Sequence, residues 1–178
     1  NSPLSTRGVE QAKAIASTVR ALAPARVVAS DLGRARQTVE LIGYADAPSD
    51  ERLRELNMGA WTGERKGDLL STQPELYHDW RAGRYTPAGG EGWDEFVHRI
   101  RTGLEDWVYQ GAGDLLAVVH SGVVRAACFS FLGLKPAQLL PVTPGTLTIL
   151  EFDADRASPP RLEAYNLGAF VPDSAVAD

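Results

Sequence analysis

The chain has 178 residues, of which 44% are hydrophobic, and its 18 basic and 23 acidic side chains give a net charge of −5. This length provides one good hydrophobic core but not two ordinary domains, so we predict a single domain over residues 1–178, and the acidic balance disfavours nucleic acid as a partner. No apolar run approaches the roughly 20 residues that cross a bilayer and no signal-peptide pattern opens the chain, so we expect no membrane partner and a cytoplasmic location.

The first third of the chain alternates between helix and strand patterns. Residues 6–22 place apolar side chains on one helical face, and a short strand over 26–30 is followed by a second helix over 32–43. The apolar face of the first helix consists of Val9, Ala12, Ile15, Val19 and Leu22. This alternation is typical of an α/β fold, in which helices cover a sheet.

Residues 64–90 are more polar and irregular, with short helical pieces over 68–72 and 74–82. We interpret this stretch as an excursion from the core rather than a linker, because it has apolar residues to bury. These are Trp61, Leu76, Tyr77 and Trp80.

The second half of the chain predicts two further helices and three strands. A helix over 93–109 has the inner face Phe96, Val97, Ile100, Leu104 and Val108, and the later elements are a strand over 115–119, a helix over 123–132, and strands over 146–152 and 161–165. Cys128 lies inside the apolar helix, so burial as a small hydrophobic side chain is favoured over a reactive thiol. Residues 171–178 have the composition of a mobile tail.

Polar side chains follow two of these strands. His120 comes directly after the strand over 115–119, and Arg34 lies at the start of the helix that follows the strand over 26–30. Carboxyl ends of parallel strands and helix N-termini are common sites for anions. A carboxylate, Glu55, precedes a glycine-punctuated turn in the segment 53–63. Together these residues predict phosphate chemistry.

This set of motifs, in this order, resembles the histidine phosphatase superfamily of phosphoglycerate-mutase-like enzymes. The resemblance runs from the segment 2–12 (Ser-Pro-Leu-Ser-Thr-Arg-Gly-Val-Glu-Gln-Ala) through 87–91 (Pro-Ala-Gly-Gly-Glu) to 117–125 (Ala-Val-Val-His-Ser-Gly-Val-Val-Arg). It implies a three-layer α/β/α sandwich with a mostly parallel central sheet, and it places the excursion 64–90 over the active site.

The resemblance also implies a nucleophilic histidine in an Arg-His-Gly sequence on the first, central strand, ahead of the segment that matches 2–12. The chain contains His78, His98 and His120, and none of them is flanked by Arg and Gly. We therefore expect the nucleophile upstream of Asn1, unless another segment fills the place of that strand.

The resemblance implies that Arg34 binds the phosphate and that His120 is a catalytic residue, which stabilises the transition state. Arg34 would clamp the phosphate with two parallel N–H bonds, whereas the alternative is a surface arginine, the interpretation we give to Arg7, Arg26 and Arg36. His120 would donate to the phosphoryl oxygens, whereas the alternative is a core or helix-capping histidine. These alternatives stay open at the level of sequence.

Glu55, Ser121 and Glu91 complete the implied site. Glu55 corresponds to the proton donor, with an ion pair to Arg52 or Arg54 as the alternative. Ser121 stands where the family usually has glycine, so its N–H can still bind phosphate while its side chain narrows the pocket or changes the backbone dihedral. A role for Ser121 as a hydrolase nucleophile is disfavoured because the G-x-S-x-G elbow is absent. Glu91 is assigned to substrate binding, and ordering of the loop over the pocket is favoured over reaction.

We expect His78 and His98 to be solvent-exposed, and we expect no metal and no cofactor, because no cluster has metal-ligand spacing. The first functional hypothesis is a phosphatase that acts on a small phosphorylated metabolite through a phosphohistidine intermediate. A phosphoglycerate-mutase-type transfer is the second hypothesis, disfavoured by the compact length. A non-catalytic phosphate-binding or interaction domain is the third, and a homodimer remains open.

Overall fold

In the computed structural model, which describes residues 2–168, six α-helices and four β-strands follow one another along the chain. The helices are α1 (Thr6–Leu22), α2 (Gly33–Leu41), α3 (Lys66–Thr72), α4 (Pro74–Arg81), α5 (Trp93–Tyr109) and α6 (Ser121–Leu132). The strands are β1 (Arg26–Ala29), β2 (Leu115–Val118), β3 (Leu147–Glu151) and β4 (Arg161–Leu167). No helix within residues 2–168 is both long and apolar enough to span a membrane, and the predicted tail over 171–178 lies outside the described residues.

The strands form two separate pairs. β1 and β2 are parallel, with Arg26 opposite Leu115 and Ala29 opposite Val118, and a parallel bridge from Ala29 to Ser49 adds a third extended segment beside β1. β3 and β4 are antiparallel. Among the described residues the two pairs are not hydrogen-bonded to each other. Within this part of the chain β2 is paired with β1 alone, and β3 is paired with β4 alone.

Helix α1 begins at the predicted residue because Ser5 caps it: the Ser5 side chain accepts a hydrogen bond of 3.2 Å from the Gly8 N–H. The predicted apolar face is only partly buried. Ala12 and Val19 are 2% exposed, whereas Leu22 in the last turn is 49% exposed. The prediction that Leu22 is packed was therefore wrong, because the end of α1, residues 20–22, is exposed.

Helices α5 and α6 pack against each other and form a hydrophobic core near the end of β2. Phe96 and Ile100 of α5 meet Val123 and Ala126 of α6, and all four side chains are fully buried. Burial of a large apolar side chain such as Phe96 or Ile100 stabilises the fold by roughly 1.5–3 kcal/mol. Cys128 of α6 is also fully buried, as predicted, and burial raises the pKa of its thiol to about 11.

The stretch 64–90 has a small core of its own. Trp61, Tyr77 and Trp80 are buried there, as predicted, and Trp61 packs edge-to-face on Trp80 with ring centroids 6.1 Å apart. Leu76, expected in this core, is instead 37% exposed, and Leu69 of α3 is buried in the same core. The α4 helix turns Tyr77 and Trp80, three residues apart, to the inner side, which leaves Leu76 on the outer side.

Candidate functional site

The predicted site residues Arg34, Glu55 and His120 lie on segments that meet at one edge of the β1–β2 sheet. Because β1 and β2 are parallel, the residues that follow them emerge at the same edge, and the Ser30 N–H donates to the Val118 carbonyl at 3.0 Å. Glu55 reaches this edge through its carboxylate, which accepts from the Gly122 N–H at 3.0 Å. The sequence motifs that are far apart in the chain therefore meet in space.

His120 occupies the N-cap position of α6, but its side chain does not cap the helix. The imidazole is 8% exposed, and its Nε2 lies 2.9 Å from the Ser30 Oγ, which is fully buried. Burial and, secondarily, the charge of Arg34 lower the pKa of His120 to about 3. The imidazole is therefore neutral at neutral pH, with one N–H to donate.

Arg34 is the second residue of α2, and its charge acts on His120. Within residues 2–168 its guanidinium has no hydrogen-bond or ion-pair partner, so its donors are available to an anion.

Arg26 and Arg36, two arginines expected at the surface, differ from Arg34 because their guanidinium groups have hydrogen-bond partners. Arg26 donates to the carbonyls at the end of α5, including Val108 at 3.2 Å, and Arg36 donates to Ala45 at 3.0 Å. That expectation was wrong for Arg26 and Arg36, because both hold backbone carbonyls.

Glu55 lies against the first turn of α6. Its Oε2 accepts from the Gly122 N–H at 3.0 Å and its Oε1 accepts from its own neighbour Leu56 at 2.9 Å. A Cβ added to Gly122 would lie 2.1 Å from Glu55 Oε1, so only glycine allows this approach.

The alternative ion pairs for Glu55 are excluded, since both candidate arginines hold other carboxylates. Arg52 pairs with Asp50 at 2.8 Å, and the Arg54 Nε donates to Asp31 at 2.8 Å. The hydrogen bond from Arg54 holds the pKa of the Asp31 carboxyl below its usual value. The Glu55 carboxylate therefore contacts the first turn of α6 rather than either of these arginines.

Ser121 is the first residue of α6, and its backbone is not in the left-handed region. The serine in place of glycine therefore requires no change of backbone dihedral at this position. Helix N-termini are common sites for anions, but one N–H group in the first turn of α6 already has a partner. The Gly122 N–H donates to Glu55, whereas the Ser121 N–H has no hydrogen-bond partner among residues 2–168.

Glu91 lies next to Asn57, two residues after Glu55, and is held by Arg99 of α5. The Arg99 Nε and Nη2 donate to its two carboxylate oxygens at 2.8 and 2.7 Å, and the same guanidinium donates to the Arg52 carbonyl at 2.7 Å. The Glu91 N–H donates to the Asn57 carbonyl at 2.9 Å. These contacts fix the loop that contains Glu91, as expected of a residue that orders this loop.

His78 and His98 are exposed, as predicted.

The sequence interpretation missed two residues that contact predicted site residues. Ser30 is the partner of His120, and Gly122 is the partner of Glu55. Ser30 could have been found from its position at the end of the strand beside the one that His120 follows, whereas the Gly122 contact needs the fold. Within residues 2–168, no group of three or more His, Cys, Asp or Glu side chains is arranged to hold a metal ion.

Known proteins share this sequence and fold. A protein of Salmonella paratyphi C named a probable phosphoglycerate mutase is 32% identical over 143 residues, 75% of this chain and 65% of its own length. The glucosyl-3-phosphoglycerate phosphatase of Mycolicibacterium vanbaalenii is 32% identical over 154 residues, 80% of this chain and 68% of its own length. The chain thus spans about two thirds of these relatives.

A solved mycobacterial glucosyl-3-phosphoglycerate phosphatase in complex with vanadate (VO3) superimposes with a TM-score of 0.83 at 28% identity, covering 94% of this chain and 88% of its own. This likeness confirms the predicted phosphoglycerate-mutase-like α/β fold. The family model of the histidine phosphatase superfamily, branch 1, matches residues 1–167. The chain therefore belongs to the histidine phosphatase superfamily.

Proposed function

We propose that the chain carries the phosphate-binding and proton-donating part of a phosphomonoester hydrolase that acts on a small phosphorylated metabolite. The observation that carries this proposal is the 3.0 Å contact between Glu55 and the Gly122 N–H, which holds a carboxyl group at the first turn of the helix that follows His120. A pocket that only bound phosphate would gain nothing from a carboxyl group there, because its negative charge opposes the anion.

The proposed reaction has two steps. A histidine nitrogen attacks phosphorus while Arg34, the His120 N–H and the Ser121 N–H hold the phosphoryl oxygens. The P–O bond to the substrate breaks as the N–P bond forms, and the Glu55 carboxyl gives its proton to the leaving oxygen. Water then attacks phosphorus, its proton passes to the Glu55 carboxylate, and phosphate leaves with the histidine restored.

We propose that the attacking histidine belongs to a strand that precedes residue 1. Among residues 2–168, β2 has a strand partner only in β1 and β3 only in β4, which supports a place for one more strand at their free edges. Intact mass and N-terminal sequencing of the protein from its native source test this. An upstream Arg-His-Gly sequence supports the proposal, and a native polypeptide that begins at Asn1 overturns it in favour of a binding domain.

Phosphate release by the native protein tests the activity. We expect release from para-nitrophenyl phosphate, and we expect Arg34→Ala and His120→Ala each to lower turnover at least about 10²-fold, the typical loss of one preorganised donor. Arg20→Ala removes an exposed arginine of α1 and is the control with the same charge change as Arg34→Ala. Near-normal turnover in the Arg34 or His120 variant, with matched melting curves, would remove that residue from the site.

The substrate panel follows from the names of the relatives. Glucosyl-3-phosphoglycerate and phosphoglycerate are the first compounds to try, because relatives are named for reactions on them. Phosphorus NMR separates the phosphatase from the mutase alternative: a hydrolase releases inorganic phosphate, whereas a mutase returns the phosphoryl group to another position of the substrate. We expect inorganic phosphate as the product.

A further inference from the structure

Ser30 is fixed and buried beside His120. It follows β1 directly, its backbone N–H donates to the Val118 carbonyl of β2 at 3.0 Å, and its side chain is fully buried. Its Oγ lies 2.9 Å from His120 Nε2. The sheet therefore holds a hydroxyl group at a set place against one nitrogen of the imidazole.

The hydrogen bonds around Ser30 favour one of the two nitrogens of His120 as the place of its proton. The Ser30 Oγ accepts a weak hydrogen bond of 3.4 Å from the Leu32 N–H, so its own proton needs an acceptor, and within the described residues the one in reach is His120 Nε2. If Nε2 were protonated instead, the hydroxyl would accept two hydrogen bonds and donate none. That arrangement leaves a buried donor without a partner, which is costly.

We propose that Ser30 is a positioning residue that keeps His120 in the tautomer with Nε2 unprotonated and the proton on Nδ1. Nδ1 makes no hydrogen bond to residues 2–168, so in this tautomer its N–H is the donor available to a phosphoryl oxygen. The opposite tautomer would present a lone pair to the anion and repel it. This inference rests on the proposed function for its purpose, but the tautomer itself exists without substrate.

Two-dimensional ¹⁵N NMR of protein labelled at histidine nitrogens tests the tautomer directly at pH 7. For His120 we expect a protonated, pyrrole-type Nδ1 and an unprotonated, pyridine-type Nε2. In Ser30→Ala we expect the Nε2-protonated form to appear, and phosphate binding to weaken about tenfold, which corresponds to 1.4 kcal/mol. Ser71→Ala, which removes an exposed hydroxyl of α3, is the matched control and should change neither.

A protonated Nε2 in the unaltered protein overturns the inference, whether or not the Ser30 variant folds. An unchanged tautomer in Ser30→Ala overturns it as well. If the NMR spectra agree with the inference while no variant or condition gives phosphate binding, the proposed function fails and the role of Ser30 stands. The two ideas are therefore tested separately.

Discussion

At the scale of single residues, the neutral imidazole of His120 couples stability to pH. Burial and Arg34 lower the pKa of His120 to about 3 in the folded protein, whereas an unfolded histidine titrates near 6.5. Between these values the unfolded chain binds one proton more than the folded protein, so acid favours unfolding. This contribution to stability is fully present above pH 6.5 and is lost as the pH falls toward 3.

We therefore predict that the protein loses more stability on acidification than a His120→Gln variant. One proton is worth about 1.4 kcal/mol per pH unit once the unfolded histidine is protonated, so between pH 7 and 5 the difference should approach about 2 kcal/mol. Urea unfolding at both pH values measures it. The lowered pKa of the Asp31 and Asp50 carboxyls acts only below their ordinary value of 3.8 and leaves this window clear. Parallel pH profiles for the two proteins would show that His120 is not the group responsible.

Glu55 and Gly122 should act as one unit. Glu55→Gln is expected to depress turnover most for alkyl phosphates, whose alkoxide leaving groups need a proton, and least for para-nitrophenyl phosphate. Gly122→Ala should give the same selective loss, because the new Cβ would displace the Glu55 carboxylate from its place 3.0 Å from the backbone N–H.

Comparing alkyl and para-nitrophenyl phosphate for both variants checks this prediction. Gly67→Ala in α3 is the control, since a Cβ there meets no atom within 4 Å and the substitution favours the helix. Equal losses on the two substrates would mean that Glu55 has a structural role rather than that of the acid.

At the scale of elements, the turn after Glu55 and the loop before α5 are joined backbone to backbone. The Ala60 N–H donates to the Ala88 carbonyl at 2.9 Å, and the Glu91 N–H donates to the Asn57 carbonyl at 2.9 Å. Gly59, with a φ of 52°, fits this junction because a Cβ there would lie 2.3 Å from the Gly90 nitrogen. The position of Glu55 therefore depends on the loop that Glu91 and α5 hold.

We predict that Glu91→Gln lowers the free energy of unfolding by about 1–3 kcal/mol, because it leaves the Arg99 guanidinium, 24% exposed, without its carboxylate. Asp79→Asn is the matched control. It breaks an ion pair whose side chains are 45% and 66% exposed, and such surface pairs contribute at most about 1 kcal/mol. Urea unfolding compares the two variants, and equal destabilisation would contradict the structural role of Glu91.

Long periodic elements were predictable and short irregular ones were not. The bounds of α1 and α5 agree with the sequence prediction, because each has a sustained apolar period over 17 residues. The three-residue 3₁₀ turns over 51–53 and 59–61 are too short to show a period. One of them precedes Glu55 and the other follows it. The bridge from Ala29 to Ser49 depends on tertiary contacts and had no local signal.

At the scale of the whole molecule, motifs identified Arg34, Glu55 and His120, but the contacts that orient them come from the fold. Ser30 and Gly122 are small residues without a distinctive pattern, and their roles arise because β1, β2 and the segment at Ser49 end at one edge. The sequence predicted that Arg34, Glu55 and His120 belong to one site, and the structure brings their segments to the same edge of the sheet. It could not predict that the Gly122 N–H is already taken by Glu55.

Thermal unfolding with added phosphate at constant ionic strength tests most directly whether Arg34 and His120 form an anion site. We predict that the melting temperature rises with phosphate, because a ligand at 100 times its dissociation constant stabilises the fold by about 2.7 kcal/mol. The rise should vanish in Arg34→Ala and persist in Arg20→Ala, which removes an exposed arginine of α1. No rise up to tens of millimolar phosphate, or a rise that Arg34→Ala leaves intact, would contradict the site.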